Sequence, residues 1–344
     1  MRIDEALTRI IAGYDLSQEE TQLVFDQIMS GEATPSQIAG ILVGLRVKGE
    51  AVSEITGAAI AMRKVSTKVS IEVDYLVDTC GTGGSGSNKL FNISTAAAFV
   101  AAAAGAHVAK HGNRGMSSTS GSADVLEAAG VNIQMAPDVT ARAITEVGVA
   151  FMFAQTHHPA MKFAGPVRRE LGVRTLFNLI GPLTNPAGAK RQVIGVFARE
   201  WQRPMAEVCR LLGAEHILVV HADGLDELTI AGDSQVVELK NNQISEFVIT
   251  PNDFHIANQS IETLRIQSPE ESLSLIKESL KKDKNTAASD IVALNAGAAI
   301  YVSGITRSLR DGVAMAEDLI STGQAAEKFS ELVRFSEITS ETKE

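Results

Sequence analysis

Two segments of this chain share one local order: a short apolar strand, a loop dense in glycine and hydroxyls, then a helix. The first runs from YLVD (75–78) through GTGGSGSN (81–88) into the alanine-rich stretch 94–104. The second runs from HVAK (107–110) through HGNRGMSSTSG (111–121) into SADVLEAAG (122–130), where Gly130 ends the helix. Strands that alternate with helices pair in parallel and need a covered sheet. HILVVHA (216–222) fits that demand, because a near-continuous apolar strand belongs where both faces are buried. AFMFA (150–154) and QVIGVF (192–197) are further strands. QVVEL and ISEFVIT, joined by the turn Asn241-Asn242, predict an antiparallel patch at one sheet edge. The expected class is α/β with a mainly parallel central sheet.

The first 65 or so residues have a different period. Ile3, Leu7, Ile10 and Ile11 recur at helical spacing. Ser17 with Glu20 forms a capping box. Thr34, Pro35 and Gln37 start a helix whose apolar face is Ile38, Ile41, Leu42 and Leu45. Ser53 is the expected cap of a fourth helix. Four short helices make a thin core, so this unit must pack on something else. The chain is helical again over 269–334, and KKDKN (281–285) is a solvated charge run.

The net charge of −10, from 31 basic and 41 acidic residues, argues against a nucleic-acid binder that works through a broad basic surface. Cys80 and Cys209 supply neither a disulfide framework nor a metal-ligand spacing. The N-terminus lacks the apolar core of a signal peptide, and AAAFVAAAAGA (96–106) is too short to span a bilayer. The expectation is a cytoplasmic protein with no membrane association.

Against that acidic background the two loops stand out. Glycines let backbone N–H groups converge on an anion, and Asn92, Ser94 and Thr95 sit where a helix N-terminus offers free donors. Lys110 and Arg114 would neutralise a polyphosphate in the second loop, with hydroxyls and amides on its oxygens. Two such loops on neighbouring parallel strands meet at the carboxyl edge of the sheet. Asp226 and Glu227, adjacent after the buried strand, are the kind of paired carboxylates that Mg²⁺ uses when it also holds phosphates. A plain Asp-Gly hairpin is the competing reading of DGLDE. His157 and His158 are rejected as a zinc site because adjacent side chains diverge. Arg168 can grip a carboxylate bidentately, or form a surface pair with Glu170.

GTGGSGSNKLFNIST, KHGNRGMSSTSGSADVLEAAG, HHPAMKFAGPVRRELGVRTLFNLIGPLTNPAG, DGLDEL and DIVALNAGAAIYVSG together resemble the anthranilate phosphoribosyltransferase family, in order and through nearly the whole chain. The resemblance implies a nucleoside phosphorylase/phosphoribosyltransferase-like fold. Residues 1–70 would form a helical domain, joined by an inserted segment at about 166–186. Residues 71–344 would form an α/β domain that binds phosphoribosyl pyrophosphate (PRPP). It implies a homodimer through the helical domain and the transfer of phosphoribosyl from PRPP to anthranilate with Mg²⁺. Carried over by position, PRPP would meet Gly81, Gly84, Ser85, Asn92, Ile93, Ser94, Thr95, Lys110, His111, Gly112, Asn113, Arg114, Gly115, Met116, Ser117, Ser118 and Ser122. Ser94, Asp226 and Glu227 match the Mg²⁺ positions; Gly81, Asn113 and Arg168 match those that meet anthranilate. Lys110 and Arg168 are the expected catalytic residues.

Two departures stand in the first loop. Ser85 occupies a position where the family usually has Asp, and the loop before FNIST is one residue longer, which makes Lys89 an added candidate phosphate contact. The competing functions are a pyrimidine nucleoside phosphorylase of the same fold, which needs no paired carboxylates, and a non-catalytic relative that binds nucleic acid.

Overall fold

The computed structural model describes residues 1–83, 90–115, 119–283 and 285–341. Its first four helices are α1 (Ile3–Ile11), α2 (Gln18–Ser30), α3 (Pro35–Lys48) and α4 (Val52–Lys64). The Ser17–Glu20 and Thr34–Gln37 capping boxes both form. Ser53 is not a cap. Ala51 takes that place, and its N–H donates to Glu54 Oε2 at 2.8 Å, while Ser53 Oγ donates to the Leu16 carbonyl. The reason is Glu54 itself. Fully buried, it also accepts from the Leu16 N–H and from Lys48 Nζ, so the helix must begin where that carboxylate can serve three partners.

After the helices come β1 (Leu76–Gly81), α5 (Ile93–Ala103), β2 (His107–Gly112), α6 (Ser122–Ala128), α7 (Pro137–Glu146) and β3 (Val149–Phe153). Then follow α8 (Ala154–His157), α9 (Met161–Leu171), α10 (Phe177–Ile180), β4 (Arg191–Gly195), α11 (Gln202–Leu211) and β5 (His216–His221). The hairpin β6 (Ser234–Lys240) and β7 (Gln243–Ile249) precedes α12 (Pro269–Ser279), α13 (Ala287–Ser303), α14 (Leu309–Ser321) and α15 (Gln324–Glu341). The seven strands form one sheet in the order β3-β2-β1-β4-β5-β6-β7; β1 to β5 are parallel and β6 and β7 antiparallel. The predicted edge hairpin is present, with Asn241 and Asn242 both at positive φ.

The sheet separates two cores. Val193, Leu218, Val220 and Val236 face one, beneath α5, α13 and the C-terminal helices. Their neighbours Ile194, Ile217, Val219 and Val237 face the other. That second core is continuous with α2, α3 and α4 and takes in Ala164 and Val167 of α9 and Phe177 and Ile180 of α10. The thin helical core is therefore completed by α9, α10 and one face of the sheet. Every residue of β5 is buried, as its apolar run requires.

α13 crosses α14 at nearly bare backbone. A Cβ on Gly297 would lie 2.5 Å from Val313 N and 2.6 Å from its Cα. Backbone cannot yield as a flexible side chain would. Gly297→Ala is expected to destabilise the protein by about 1–3 kcal/mol, the usual cost of overpacking, read as a lower denaturant midpoint at unchanged slope. An unchanged midpoint would show that this crossing does not depend on glycine.

Candidate functional site

In the order β3-β2-β1-β4-β5 the chain reverses its direction of travel between β1 and β4. Open α/β sheets bind ligands at such a switch point, at the carboxyl ends of the strands. Here those ends are Gly81 and Gly195, paired in register. The segment that follows β5 passes directly over them. A Cβ on Gly195 would stand 1.7 Å from the Asp226 carbonyl oxygen, and one on Gly81 would stand 2.5 Å from Asp226 Oδ2. Only glycine permits this approach. The turn itself is tight, with Asp223 and Gly224 at positive φ and Ala222 bridged to Leu225, so the hairpin reading of DGLDE is correct for its backbone. It also delivers two carboxylates. Asp226 Oδ2 accepts from the Gly83 N–H at 2.9 Å, and Glu227 Oε1 from the Ser94 N–H at 3.3 Å, in the first turn of α5. An anion at a helix N-terminus is well placed.

Lys110, on β2, is 3% exposed. Its ammonium donates to the Thr79 carbonyl and lies 3.2 Å from Ser94 Oγ. The loop beyond it folds back on itself: a Cβ on Gly121 would meet Asn113 O at 2.4 Å. Asp124 of α6 pins that fold, accepting from the N–H groups of Gly115 (2.9 Å) and Gly121 (2.8 Å). Arg114 lines the cleft and also braces its loop. Its guanidinium is held by Asp124 at 3.1 Å and Glu127 at 2.7 Å, over the Phe153 ring. The two carboxylates of α6 lie one helical turn apart on that side.

The opposite wall is more apolar. Arg168 of α9 is half-buried and lies over the Phe177 ring, 5.1 Å from its centroid. Burial pulls its guanidinium down to about 10, so it stays a cation at neutral pH but a poorly hydrated one. A partly desolvated guanidinium suits a carboxylate ligand. The alternative of a plain surface pair with Glu170 does not describe this burial. His157 and His158 do diverge: His157 Nδ1 meets the Thr67 carbonyl, whereas His158 Nε2 is 3.2 Å from His111 Nε2. Burial pushes His158 down to about 4, and burial with the neighbouring histidines lowers His111 well below its usual range, so both rings are neutral near pH 7.

These parts line one cleft of about 300 Å³. Gly81, Asn92, Ile93, Ser94, Lys110, His111, Gly112, Asn113, Arg114, Gly115, Ser122, Arg168, Asp226 and Glu227 all lie on its wall. Thr95 is buried and is not on that wall. Gly84, Ser85, Lys89, Met116, Ser117 and Ser118 lie outside the described residues. The wall also holds residues that sequence reasoning did not select, among them Met62, His158, Met161, Arg174, Phe177 and Pro182. Arg174 lies over the Phe197 ring at 4.2 Å. Its place in VRRELGVR was the available signal, but a third arginine near a pair is weak evidence without a fold. Among the described residues no group of three or more His, Cys, Asp or Glu is arranged to hold a metal. Two carboxylates on one wall with Ser94 suit a hard cation that keeps its waters and shares substrate phosphates, as Mg²⁺ does.

Residues 4–66 match the Glycosyl transferase family, helical bundle domain, and residues 73–326 the Glycosyl transferase family, a/b domain. The chain is 58% identical over 342 residues to the anthranilate phosphoribosyltransferase of Teredinibacter turnerae, covering 98% of this chain and 100% of that one. It is 56% identical to the one from Cellvibrio japonicus, over 98% of this chain and 99% of that one. Among solved structures, anthranilate phosphoribosyltransferase from Thermus thermophilus superposes with a TM-score of 0.91 at 44% identity, covering 96% and 99% of the two chains. The Saccharomyces cerevisiae enzyme, solved in complex with PRPP and Mg, superposes at 0.88 over 97% of this chain and 98% of that one, with 23% identity, and so speaks for the fold alone.

The contact between Gly81 and Asp226 makes a direct prediction. Gly81→Ala should displace the Asp226 carboxylate and weaken calorimetric binding of pyrophosphate in the presence of Mg²⁺ by at least about tenfold, the loss of one charge-assisted interaction. Unchanged binding would remove Asp226 from the anion site. The buried histidines make another. A histidine whose folded value is depressed takes up a proton more readily unfolded than folded. Its contribution to stability is therefore complete above 6.5 and lost as pH falls through about 4. Thermal melting should drop over that window in the native protein and less steeply in His158→Gln; parallel profiles would refute the assignment.

Proposed function

We propose that this chain, which belongs to the anthranilate phosphoribosyltransferase family, transfers the 5-phosphoribosyl group of PRPP to the amine of anthranilate. The products are N-(5-phosphoribosyl)anthranilate and pyrophosphate, and the reaction serves tryptophan biosynthesis. One observation carries the reading: a cationic, glycine-lined anion site and a partly desolvated arginine face each other across a single cleft.

Anthranilate has a carboxylate for Arg168 and a weakly basic amine that is neutral at pH 7. That amine needs no base before it attacks the anomeric carbon. Asn113 and the Gly81 backbone complete the anthranilate side. The work of the chain is therefore to stabilise departing charge and to orient the partners. Lys110, Ser94, Ser122 and the N–H groups of the two loops supply the first, as fixed dipoles and charge aimed at the leaving pyrophosphate. Asp226, Glu227 and Ser94 would hold Mg²⁺, which when bound neutralises charge on that pyrophosphate. Orientation supplies much of the rest, since well-placed partners gain roughly 7–11 kcal/mol over free encounter. His111 and His158, neutral at this pH, add no charge that would compete for the pyrophosphate.

The helical unit supports a homodimer. Ile11 is 79% exposed, Tyr14 65% and Val47 83%, on or just after α1 and α3, which pack together. Bulky apolar side chains left out on adjoining helices fit a symmetric partner surface. We place the enzyme in the cytoplasm; no described helix is long and apolar enough to cross a membrane.

Anthranilate fluorescence should fall only when protein, PRPP and Mg²⁺ are all present. Arg168→Ala should raise the anthranilate KM by roughly tenfold to a hundredfold, the worth of a hydrogen bond to a charged group, and leave the PRPP KM nearly unchanged. An unaltered anthranilate KM would take Arg168 out of the site. Absent turnover with phosphorolysis of uridine or thymidine would instead favour the phosphorylase reading.

A further inference from the structure

Asp78, in the middle of β1, is fully buried beneath the cleft and does not line it. A buried carboxylate is costly unless it is paired and hydrogen-bonded. Here Oδ1 accepts from the His111 N–H at 3.1 Å. Oδ2 accepts from Asn185 Nδ2 at 2.8 Å and Gln192 Nε2 at 3.2 Å. Each amide has a second tie: Asn185 Nδ2 to the Ala109 carbonyl at 2.9 Å, and Gln192 Nε2 to the Pro182 carbonyl at 2.8 Å. Burial raises the Asp78 carboxyl, and the Lys110 charge is the largest influence opposing that rise.

The topology makes this arrangement informative. Asp78 sits on the strand flanked by β2 and β4. Through His111 it grips the residue that opens the second anion loop. Through Asn185 and Gln192 it grips the 182–185 segment, which carries Pro182 of the opposite wall. One carboxylate is thereby bonded to elements on both sides of the cleft. Stability alone does not require a carboxylate here, since replacing buried ionic groups by well-packed apolar ones is often neutral or stabilising.

We propose that Asp78 is a positioning residue: it sets the distance between the pyrophosphate side and the anthranilate side of the cleft and, through the His111 N–H, steadies the stretch of β2 that carries Lys110. The proposal rests on the transferase reading above. It assigns Asp78 no contact with substrate.

The test compares the full-length protein with Asp78→Asn, Lys110→Met and the double variant. Asp78→Asn keeps the size but removes the charge and turns an amide toward two amide donors. It should lower kcat by about 10²-fold, the scale of a displacement of about 1 Å, and weaken calorimetric binding of pyrophosphate with Mg²⁺. Because Asp78 acts partly through Lys110, the double variant should lose clearly less than the product of the two single losses. A purely structural role predicts a lower melting temperature, kcat per folded molecule unchanged and losses that multiply; that pattern overturns the proposal. Where Asp78→Asn does not fold, Asn185→Ala keeps the carboxylate and frees the 182–185 segment. It should raise the anthranilate KM more than the PRPP KM, and no change in either overturns the proposal. Native protein that binds pyrophosphate without turning over anthranilate would defeat the transferase reading alone, since the binding arm still tests Asp78. Native protein that does neither defeats both.

Discussion

Asp226 lies against two strand ends that carry no side chains. Its backbone fits over Gly195 and its carboxylate over Gly81, where a Cβ would stand at 1.7 and 2.5 Å. The rest of the cleft depends on this contact. It brings the segment after β5 across the switch point and sets Glu227 against the first turn of α5. Glu227 accepts from the Ser94 N–H there, and the Ser94 hydroxyl lies beside Lys110. Three strand ends are thereby locked into one anion site.

The electrostatics follow from burial. Lys110 is almost wholly enclosed, yet its ammonium is satisfied by Thr79 and Ser94. Arg168 keeps its charge while losing much of its water, stacked on Phe177. Arg114 shows another solution: a cation on the cleft wall that is also paired with Asp124 and Glu127. An acidic protein can thus hold anionic substrates in one pocket, because local charge and donor geometry decide binding there and net charge does not.

The helical unit and the α/β unit meet in a shared core. Without α9, α10 and the lower face of the sheet, α2 to α4 would have too little to bury. The same segment that completes this core carries Arg168 and Phe177 to the cleft. Packing and function use opposite sides of one excursion of the chain, so a change in either is felt by the other.

Local order was legible in the sequence. The strands, the edge hairpin at Asn241-Asn242 and the capping boxes at Ser17 and Thr34 follow from periodicity, turn chemistry and capping, which act over a few residues. The membership of the cleft was legible residue by residue through long motifs: of the predicted residues that the structure describes, only Thr95 is not on its wall. What tertiary structure decided is how distant charges pair. The pairing of Arg114 with Asp124 and Glu127 of α6 became visible only in the fold. Ser53 lost the cap because Glu54 answers to Leu16 and Lys48. Asp78 carried no signal at all in YLVD, since its three donors come from positions 111, 185 and 192. Hydrogen bonding and desolvation depend on neighbours in space, and a parallel sheet draws those neighbours from far along the chain.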